Sequence, residues 1–262
     1  MPEGDVVFRS CQRLHQVLAG RSLARCEFRV PALATTDLTG VEVLEVVSRG
    51  KHQLFRFANG FTLHSHFRME GSWRIYERGR PWSGGPDWQI RGVLGTAEHT
   101  AVGYRLPVLE LLPTAEEHTV VGHLGPDLLG PDWDLDEAMR RIRAAPDATI
   151  GEALLDQRNL AGIGTFYRAE ILFLQGVHPR TPVRDVPDLR RLVQRAQKLL
   201  HANRWRVEQS TTGDLRPSQR AYVFGRVNQP CRRCHTLIRS EEFGPVGQER
   251  LSYWCPHCQP RP

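Results

Sequence analysis

Cys231-Arg232-Arg233-Cys234 and Cys255-Pro256-His257-Cys258 are two CxxC pairs, twenty residues apart, near the end of a 262-residue chain. Each pair can offer two sulfurs from one tight turn, and a spacer of hairpin length can bring the pairs together. Four thiolates at that spacing suit one tetrahedral Zn2+ ion in a structural role, because a metal with four protein ligands keeps no open position for chemistry. Redox cysteines or an iron–sulfur centre would use the same residue type. Cys11 and Cys26 stand alone, so a reducing compartment is expected rather than a disulfide framework. Between the pairs lie Arg239 and Arg250, with Phe243, Tyr253 and Trp254 beside them. Basic and aromatic residues on a metal-pinned hairpin suit a nucleic-acid backbone; a solvated arginine on a small domain is the plain alternative.

Upstream of the hairpin the apolar period is helical. Leu189, Leu192, Val193, Ala196, Leu199 and Leu200 make one face of a helix, with Arg190, Arg191, Arg195 and Lys198 largely off it. Residues 165–174, 149–155 and a segment running from Asp134 through Met139 and Ile142 read as three more helices. Asp134 and Glu137 make a capping box for the last of these. Asp156-Gln157-Arg158-Asn159-Leu160-Ala161-Gly162-Ile163-Gly164-Thr165 joins two of the helices. Its glycines permit a sharp reversal, and Gly164-Thr165 opens a helix N-terminus, whose N–H groups suit phosphate whatever the base. Residues 134–262 hold 21 basic and 14 acidic side chains, net +7, whereas residues 1–133 hold 14 and 15, net −1. That asymmetry points to a polyanion, nucleic acid first, with an arginine-rich solvated surface as its rival.

The N-terminal half alternates instead. After a helix over residues 5–19, closed by Gly20, strands are expected at 41–47, 53–57, 61–63 (after an Asn59-Gly60 turn), 72–76 and 88–93. The expected fold class is α+β. Residues 1–133 form an N-terminal β-sandwich with a helix, 134–224 a helical domain and 225–262 a four-cysteine hairpin. No apolar run approaches the roughly 18 residues of a membrane helix. Met1-Pro2-Glu3-Gly4-Asp5 does not open like a signal peptide, so a cytoplasmic protein is expected, with no membrane partner. Of 35 basic side chains, 33 are arginine, leaving Lys51 and Lys198 as the lysines. Arginine keeps its proton near neutral pH, so amine chemistry has few candidates.

Four separated segments together resemble the formamidopyrimidine-DNA glycosylase and endonuclease VIII family of base-excision repair enzymes. They are Pro2-Glu3-Gly4-Asp5, Arg49-Gly50-Lys51 opening a strand, the helix–two-turn–helix element over 156–167, and the four-cysteine hairpin with Arg250 five residues before Cys255. They span nearly the whole chain in the family's order. The resemblance implies a β-sandwich lobe and a helix–two-turn–helix lobe plus zinc finger. Duplex DNA containing oxidised bases or abasic sites would lie in the cleft between them, bound by a monomeric, nucleoid-associated protein.

Roles come with the resemblance. Pro2, exposed by removal of Met1, would be the nucleophile; a free α-amine has a pKa of roughly 7.7–8 against about 10.4 for lysine, so more of it is unprotonated at neutral pH. Glu3 would be a general acid/base, although by itself it reads as a solvated terminal acid. Lys51 would contact phosphate and assist β-elimination. Arg250 would hold the damaged nucleotide's phosphate electrostatically, in association with δ-elimination. His66-Phe67-Arg68-Met69-Glu70-Gly71 resembles the loop that fills the gap left by a flipped base. Met69 would be the wedge, Arg68 its companion and His66 a phosphate contact; packing on the sandwich is the alternative for Met69. Gly164 and Thr165 would bind backbone phosphate, although the family usually has Asn where Thr165 stands.

Glu3-Gly4-Asp5 resembles the endonuclease VIII branch, whose usual substrates are oxidised pyrimidines, rather than the purine branch with its Glu-Leu-Pro start. Tyr104-Arg105-Leu106-Pro107 also lacks the purine branch's Arg-Arg-Phe-type loop. The expected activity is that of a DNA glycosylase/AP lyase, cutting by β,δ-elimination through a Schiff base on Pro2. A purine-branch enzyme for 8-oxoguanine or formamidopyrimidine is the near rival. A non-catalytic zinc-finger protein that binds damaged DNA is the distant one.

Overall fold

The computed structural model describes residues 2–244 and 249–262. Met1, whose removal is expected to expose Pro2, lies outside the described residues, as does the side chain of Phe243. The chain divides into two compact units, 1–123 and 124–262.

In the first unit, helix α1 (Gly4–Leu18) leads into strands β1 (Arg21–Ser22), β2 (Arg25–Phe28), β3 (Glu42–Arg49) and β4 (His52–Phe57). Then come β5 (Phe61–His66), β6 (Ser72–Glu77), β7 (Ile90–Gly95), β8 (His99–Tyr104), β9 (Val108–Pro113) and a short helix, α2 (His118–Val121). They form two sheets, β1-β3-β4-β5-β9 and β2-β7-β8-β6, with antiparallel pairing throughout. The expected sandwich has a physical basis in the sequence. Val7, Cys11, Leu14 and Leu18 recur every three or four residues on α1 and meet Val43, Val46, Phe55 and Leu63 of one sheet and Phe28, Trp73 and Leu94 of the other. A buried polar chain crosses this core. The Trp73 indole donates to Ser65 Oγ (3.0 Å), Ser65 to Gln53 Oε1 (2.8 Å), and Gln53 Nε2 to Ser10 Oγ (3.3 Å). Each buried group thereby finds a partner, and helix and sheets are held in one register.

One expected strand starts later, and β1, β2, β8 and β9 were not among the expected strands. Trp88 does not enter a strand; it lies in a 3-10 turn, Asp87–Gln89, closed by Gln89 N–H on Pro86 O at 3.0 Å, and is 73% exposed. β8 was not expected, and its Gly103 explains why. That residue weakens strand propensity but is required because a Cβ there would sit 2.5 Å from Leu106 and 3.1 Å from the Trp73 ring.

The second unit holds α3 (Leu135–Arg143), α4 (Ile150–Leu155), α5 (Thr165–Gln175) and α6 (Leu189–Asn203), followed by the antiparallel hairpin of β10 (Arg239–Phe243) and β11 (Arg250–Trp254). Side chains cap three of the helices: Asp134 accepts from the N–H groups of Asp136 and Glu137, Thr149 from Glu152, and Asp188 from Arg191. The unit begins ten residues before the boundary expected at 133/134, because residues 125–128 are bonded to the loop ahead of α5. Gly125 N–H reaches Gln157 O (2.8 Å), and Ala161 N–H reaches Pro126 O (2.9 Å). Among the described residues, no helix is long and apolar enough to cross a membrane.

Candidate active site and nucleic-acid interface

Pro2 is half-buried at the start of α1 and lines a cavity of about 300 Å³ together with Arg9, Ser10, Phe67 and Gly71. Glu3 occupies the N-cap position: its backbone is extended, and its carbonyl accepts Val7 N–H at 3.0 Å. Its side chain is fully buried, which excludes the solvated-acid reading. Cys11, one α1 turn beyond Val7, is also fully buried, and burial pushes its thiol pKa up, so it packs as a small apolar residue.

Lys51 stands in the two-residue turn between β3 and β4. There Gly50 takes a φ of 58°, the left-handed conformation a tight hairpin needs, and Arg49 pairs with His52. Register across the sheet then gathers a cluster of imidazoles beside Lys51, since His52 lies opposite His66 on β5 and His64 opposite Glu110 on β9. His52 Nδ1 is 2.8 Å from His64 Nε2, and His64 Nδ1 is 2.7 Å from Glu110 Oε1. The His52 ring also stands edge-on to His66 (4.8 Å between centroids) and His123 (6.2 Å). Burial first, then the neighbouring histidines and Lys51, push His52 down to about 3; burial, Lys51, His64 and Arg68 push His66 down to about 4. Both are therefore neutral at pH 7. His52, His64 and Glu110 were not singled out in the sequence. Their only signal was histidine at alternate positions, and its meaning depends on the partner strand.

The loop after β5 is built to present its tip. Phe67 is buried, and Gly71 N–H returns to Phe67 O at 2.9 Å. A Cβ at position 71 would lie 2.8 Å from the Phe67 backbone, so only glycine closes the loop. Between these anchors, Arg68 adopts a φ of 45° and Met69 is 63% exposed, so Met69 does not pack on the sandwich. Arg105, in the turn after β8, donates from Nε to Glu70 O (3.3 Å) and so ties the loop to the other sheet. The structure thus brings Pro2 and the 67–71 loop to one cavity, and Lys51 and His66 to one end of a sheet.

In the second unit, Gln157 organises the turn before α5. Its amide donates to Leu155 O (2.7 Å) and Ile163 O (2.9 Å) and accepts Gly162 N–H (3.0 Å), while Gly162 takes a φ of 112°. Gly164 is the N-cap of α5 and supplies no side-chain cap; Thr165, the first helical residue, is 7% exposed. Two buried charges on α5 escaped the sequence reading. Arg168 Nη2 donates to Leu251 O (2.9 Å), which fixes the strand whose exposed first residue is Arg250. Glu170 accepts the backbone N–H groups of Tyr222, Val223 and Phe224. The four cysteine sulfurs lie within 4.8 Å of one another, with separations of 3.4 Å for Cys234–Cys255, 3.5 Å for Cys234–Cys258 and 3.9 Å for Cys231–Cys258. A tetrahedral zinc–thiolate site with bonds of about 2.3 Å has sulfur–sulfur edges of roughly 3.8 Å, so the residues fit such an ion.

A formamidopyrimidine-DNA glycosylase N-terminal domain model matches residues 1–105, and that glycosylase's H2TH domain model matches residues 124–213. A probable endonuclease 8 2 of Streptomyces coelicolor is 57% identical over 264 residues, covering 100% of this chain and 95% of that protein. The chain belongs to the formamidopyrimidine-DNA glycosylase and endonuclease VIII family. Two further relatives place it on that family's endonuclease VIII side. A DNA-(apurinic or apyrimidinic site) lyase, Nei2, of Mycolicibacterium smegmatis is 46% identical, with 99% of each chain covered. An endonuclease 8 of Escherichia coli is 31% identical over 99% of this chain and 100% of its own. The fold is that of Lactococcus lactis formamidopyrimidine-DNA glycosylase, solved with DNA containing an AP site, at a TM-score of 0.79 and 21% identity over 99% of this chain and 100% of that one. Within this family fold, the β-sandwich carries Pro2, Glu3, Lys51 and the 67–71 loop, and the second unit carries the helix–two-turn–helix element and the cysteine hairpin.

Proposed function

We propose that this protein is a base-excision DNA glycosylase and AP lyase that removes oxidised pyrimidines from duplex DNA and cuts the strand by β,δ-elimination. The observation that carries the reading is the pairing at the N-terminus: a proline at the edge of a cavity, followed directly by a carboxyl group withdrawn from water. With Met1 removed, the Pro2 nitrogen is a secondary amine. It attacks C1′ of the damaged nucleotide, a C–N bond forms, and the base leaves with the electrons of the glycosidic bond. Ring opening of the sugar yields an iminium ion. That ion has no N–H proton to lose, so it stays charged and draws electrons from the adjacent C2′–H bond during β-elimination. Glu3, adjacent and withdrawn from water, moves protons at the sugar.

Lys51 and His66 bind phosphate beside the lesion, and Met69, held outward with Arg68, fills the gap left by the flipped base. In the second unit, Gly164 and Thr165 at the α5 N-terminus bind backbone phosphate, and Arg250 holds the phosphate that leaves in δ-elimination. Cys231, Cys234, Cys255 and Cys258 would hold one zinc ion, which supplies a crosslink between the two ends of the hairpin and no chemistry. The protein would act as a cytoplasmic monomer on DNA containing oxidised bases or abasic sites.

Borohydride trapping on an abasic duplex tests this. A covalent adduct mapping to Pro2 is expected, and a Pro2→Gly variant should lose most of it while still binding DNA. Absence of any adduct from the mature protein would leave only a damage-binding role. Faster excision of 8-oxoguanine than of thymine glycol or dihydrouracil would move the enzyme to the purine branch.

A further inference from the structure

The Glu110–His64–His52 chain has a direction set by hydrogen-bond chemistry. An ionised carboxylate only accepts, so the proton between Glu110 and His64 sits on His64 Nδ1. In a neutral His64 that leaves a lone pair on Nε2, which must accept from His52 Nδ1–H. A neutral His52 therefore carries a lone pair on Nε2. His66 is ordered the opposite way: the backbone N–H of Arg68 donates to its Nδ1 at 2.9 Å, so neutral His66 carries its proton on Nε2. Two rings with centroids 4.8 Å apart thus offer one donor and one acceptor. A phosphodiester is an acceptor only. Docked at this end of the sheet, it would meet the donor on His66 and the lone pair on His52, with Lys51 beside them.

We propose that Glu110, His64 and His52 form a relay that loads one proton onto His52 when a phosphodiester docks at the Lys51 hairpin, so that DNA binding takes up a proton. The inference rests on the reading that Lys51 and His66 meet a DNA phosphate. The proton comes from solvent to His52 Nε2, and no other bond is made or broken. His64 is buried and cannot share the new charge with water; Glu110, at the far end of the chain and half in solvent, balances it through the two hydrogen bonds. The groups that face His52 are Arg49 opposite it on β3, Lys51 on the turn, His64 and His66 on β5, with Arg68 beside His66, His123 at the end of the unit, and Glu110 through His64. In the free protein burial first, then the neighbouring histidines and Lys51, keep the ring neutral. An anion beside Lys51 and His66 reverses the sign of that field. His64 and Glu110 are positioning residues, acting on the phosphate only through His52.

Glu110→Gln separates charge from scaffold. The side chain is half exposed, and the glutamine oxygen still accepts from His64 Nδ1, so both tautomers persist while the balancing charge is lost. Affinity for a duplex carrying a tetrahydrofuran abasic analogue is measured by fluorescence anisotropy at pH 6 and pH 8 and fixed ionic strength. One fully linked proton tightens binding about tenfold per pH unit. The ratio of the two Kd values should be at least about fivefold larger for the wild type than for Glu110→Gln. In 15N imidazole spectra at pH 6, His52 should be neutral in the free protein and doubly protonated in the complex. Equal ratios in the two proteins, or a His52 that stays neutral on DNA, would overturn the relay. Borohydride trapping of the same proteins on a duplex with a natural abasic site, whose C1′ can form the iminium that the tetrahydrofuran analogue cannot, separates the two readings. Lost trapping with intact pH linkage rejects the enzyme and keeps the relay; intact trapping without linkage does the reverse.

Discussion

Replacing Glu170 by glutamine should loosen the junction between α5 and the segment that leads to the cysteine hairpin. The carboxylate has no exposed surface. One oxygen accepts the N–H groups of Val223 (2.8 Å) and Phe224 (2.9 Å), and the other accepts Tyr222 N–H (2.8 Å) and the Thr211 hydroxyl. Glutamine can reproduce the first oxygen but puts an NH2 group where the second was. Tyr222 N–H is then buried against another donor, which costs about 1–3 kcal/mol. The bonds to Val223 and Phe224 lose their charge assistance, roughly 1 kcal/mol each. Relief of carboxylate desolvation returns part of this, leaving a net loss of about 3 kcal/mol. Hydrogen exchange at pH 7 on metal-loaded wild-type and Glu170→Gln protein reads the effect directly. Protection of the amides of residues 222–224 should fall by about a hundredfold, since each tenfold is about 1.4 kcal/mol. Amides of α1, in the other unit, should be unchanged. A loss of protection below about fivefold at 222–224 would refute the view that this carboxylate holds the junction.

Other consequences are open to measurement. Met69→Ala removes an exposed side chain, so stability should change by no more than about 0.5 kcal/mol while excision from duplex DNA slows; a large loss of stability would mean that Met69 is packed. Cys255→Ser, or chelation, should unfold the β10–β11 hairpin and lower DNA affinity, and unchanged circular dichroism and affinity in the metal-free protein would contradict a structural metal. His52, His66 and His178 are all pushed below the ordinary histidine value of 6.5, to about 3, 4 and 4. The unfolded chain therefore binds more protons than the folded one as pH falls below about 6.5, and calorimetric stability should decline from pH 7 to pH 5. Stability that is flat or rising over that interval would sink the assignment of these rings as neutral.

Much of the fold was legible because it rests on local periodicity and turn chemistry. The capping residue Asp134, the Asn59-Gly60 reversal and the apolar face of α6 are all short-range patterns, and the structure uses them as such. Trp88 misled because an aromatic beside β-branched residues favours a strand, whereas the turn begun at Pro86 closes before pairing starts at Ile90. Glu3 misled in the other direction. Near a chain end a carboxylate reads as solvated, and nothing local shows that the fold withdraws it from water.

The sequence by itself determined the four-cysteine spacing, the glycine-bearing turn before α5, the paucity of lysine and the order of the family's segments. Each is either a composition or an arrangement within one turn. Tertiary structure alone decided which side chains meet across long separations. His64 and Glu110 are 46 residues apart, and Arg168 and Leu251 are 83 apart. Alternation along a strand sets which face a side chain takes, but its neighbour on that face depends on register against a distant strand. Register is settled when the whole core packs. The imidazole chain beside Lys51, like the buried charges of α5, therefore becomes visible only in the folded chain.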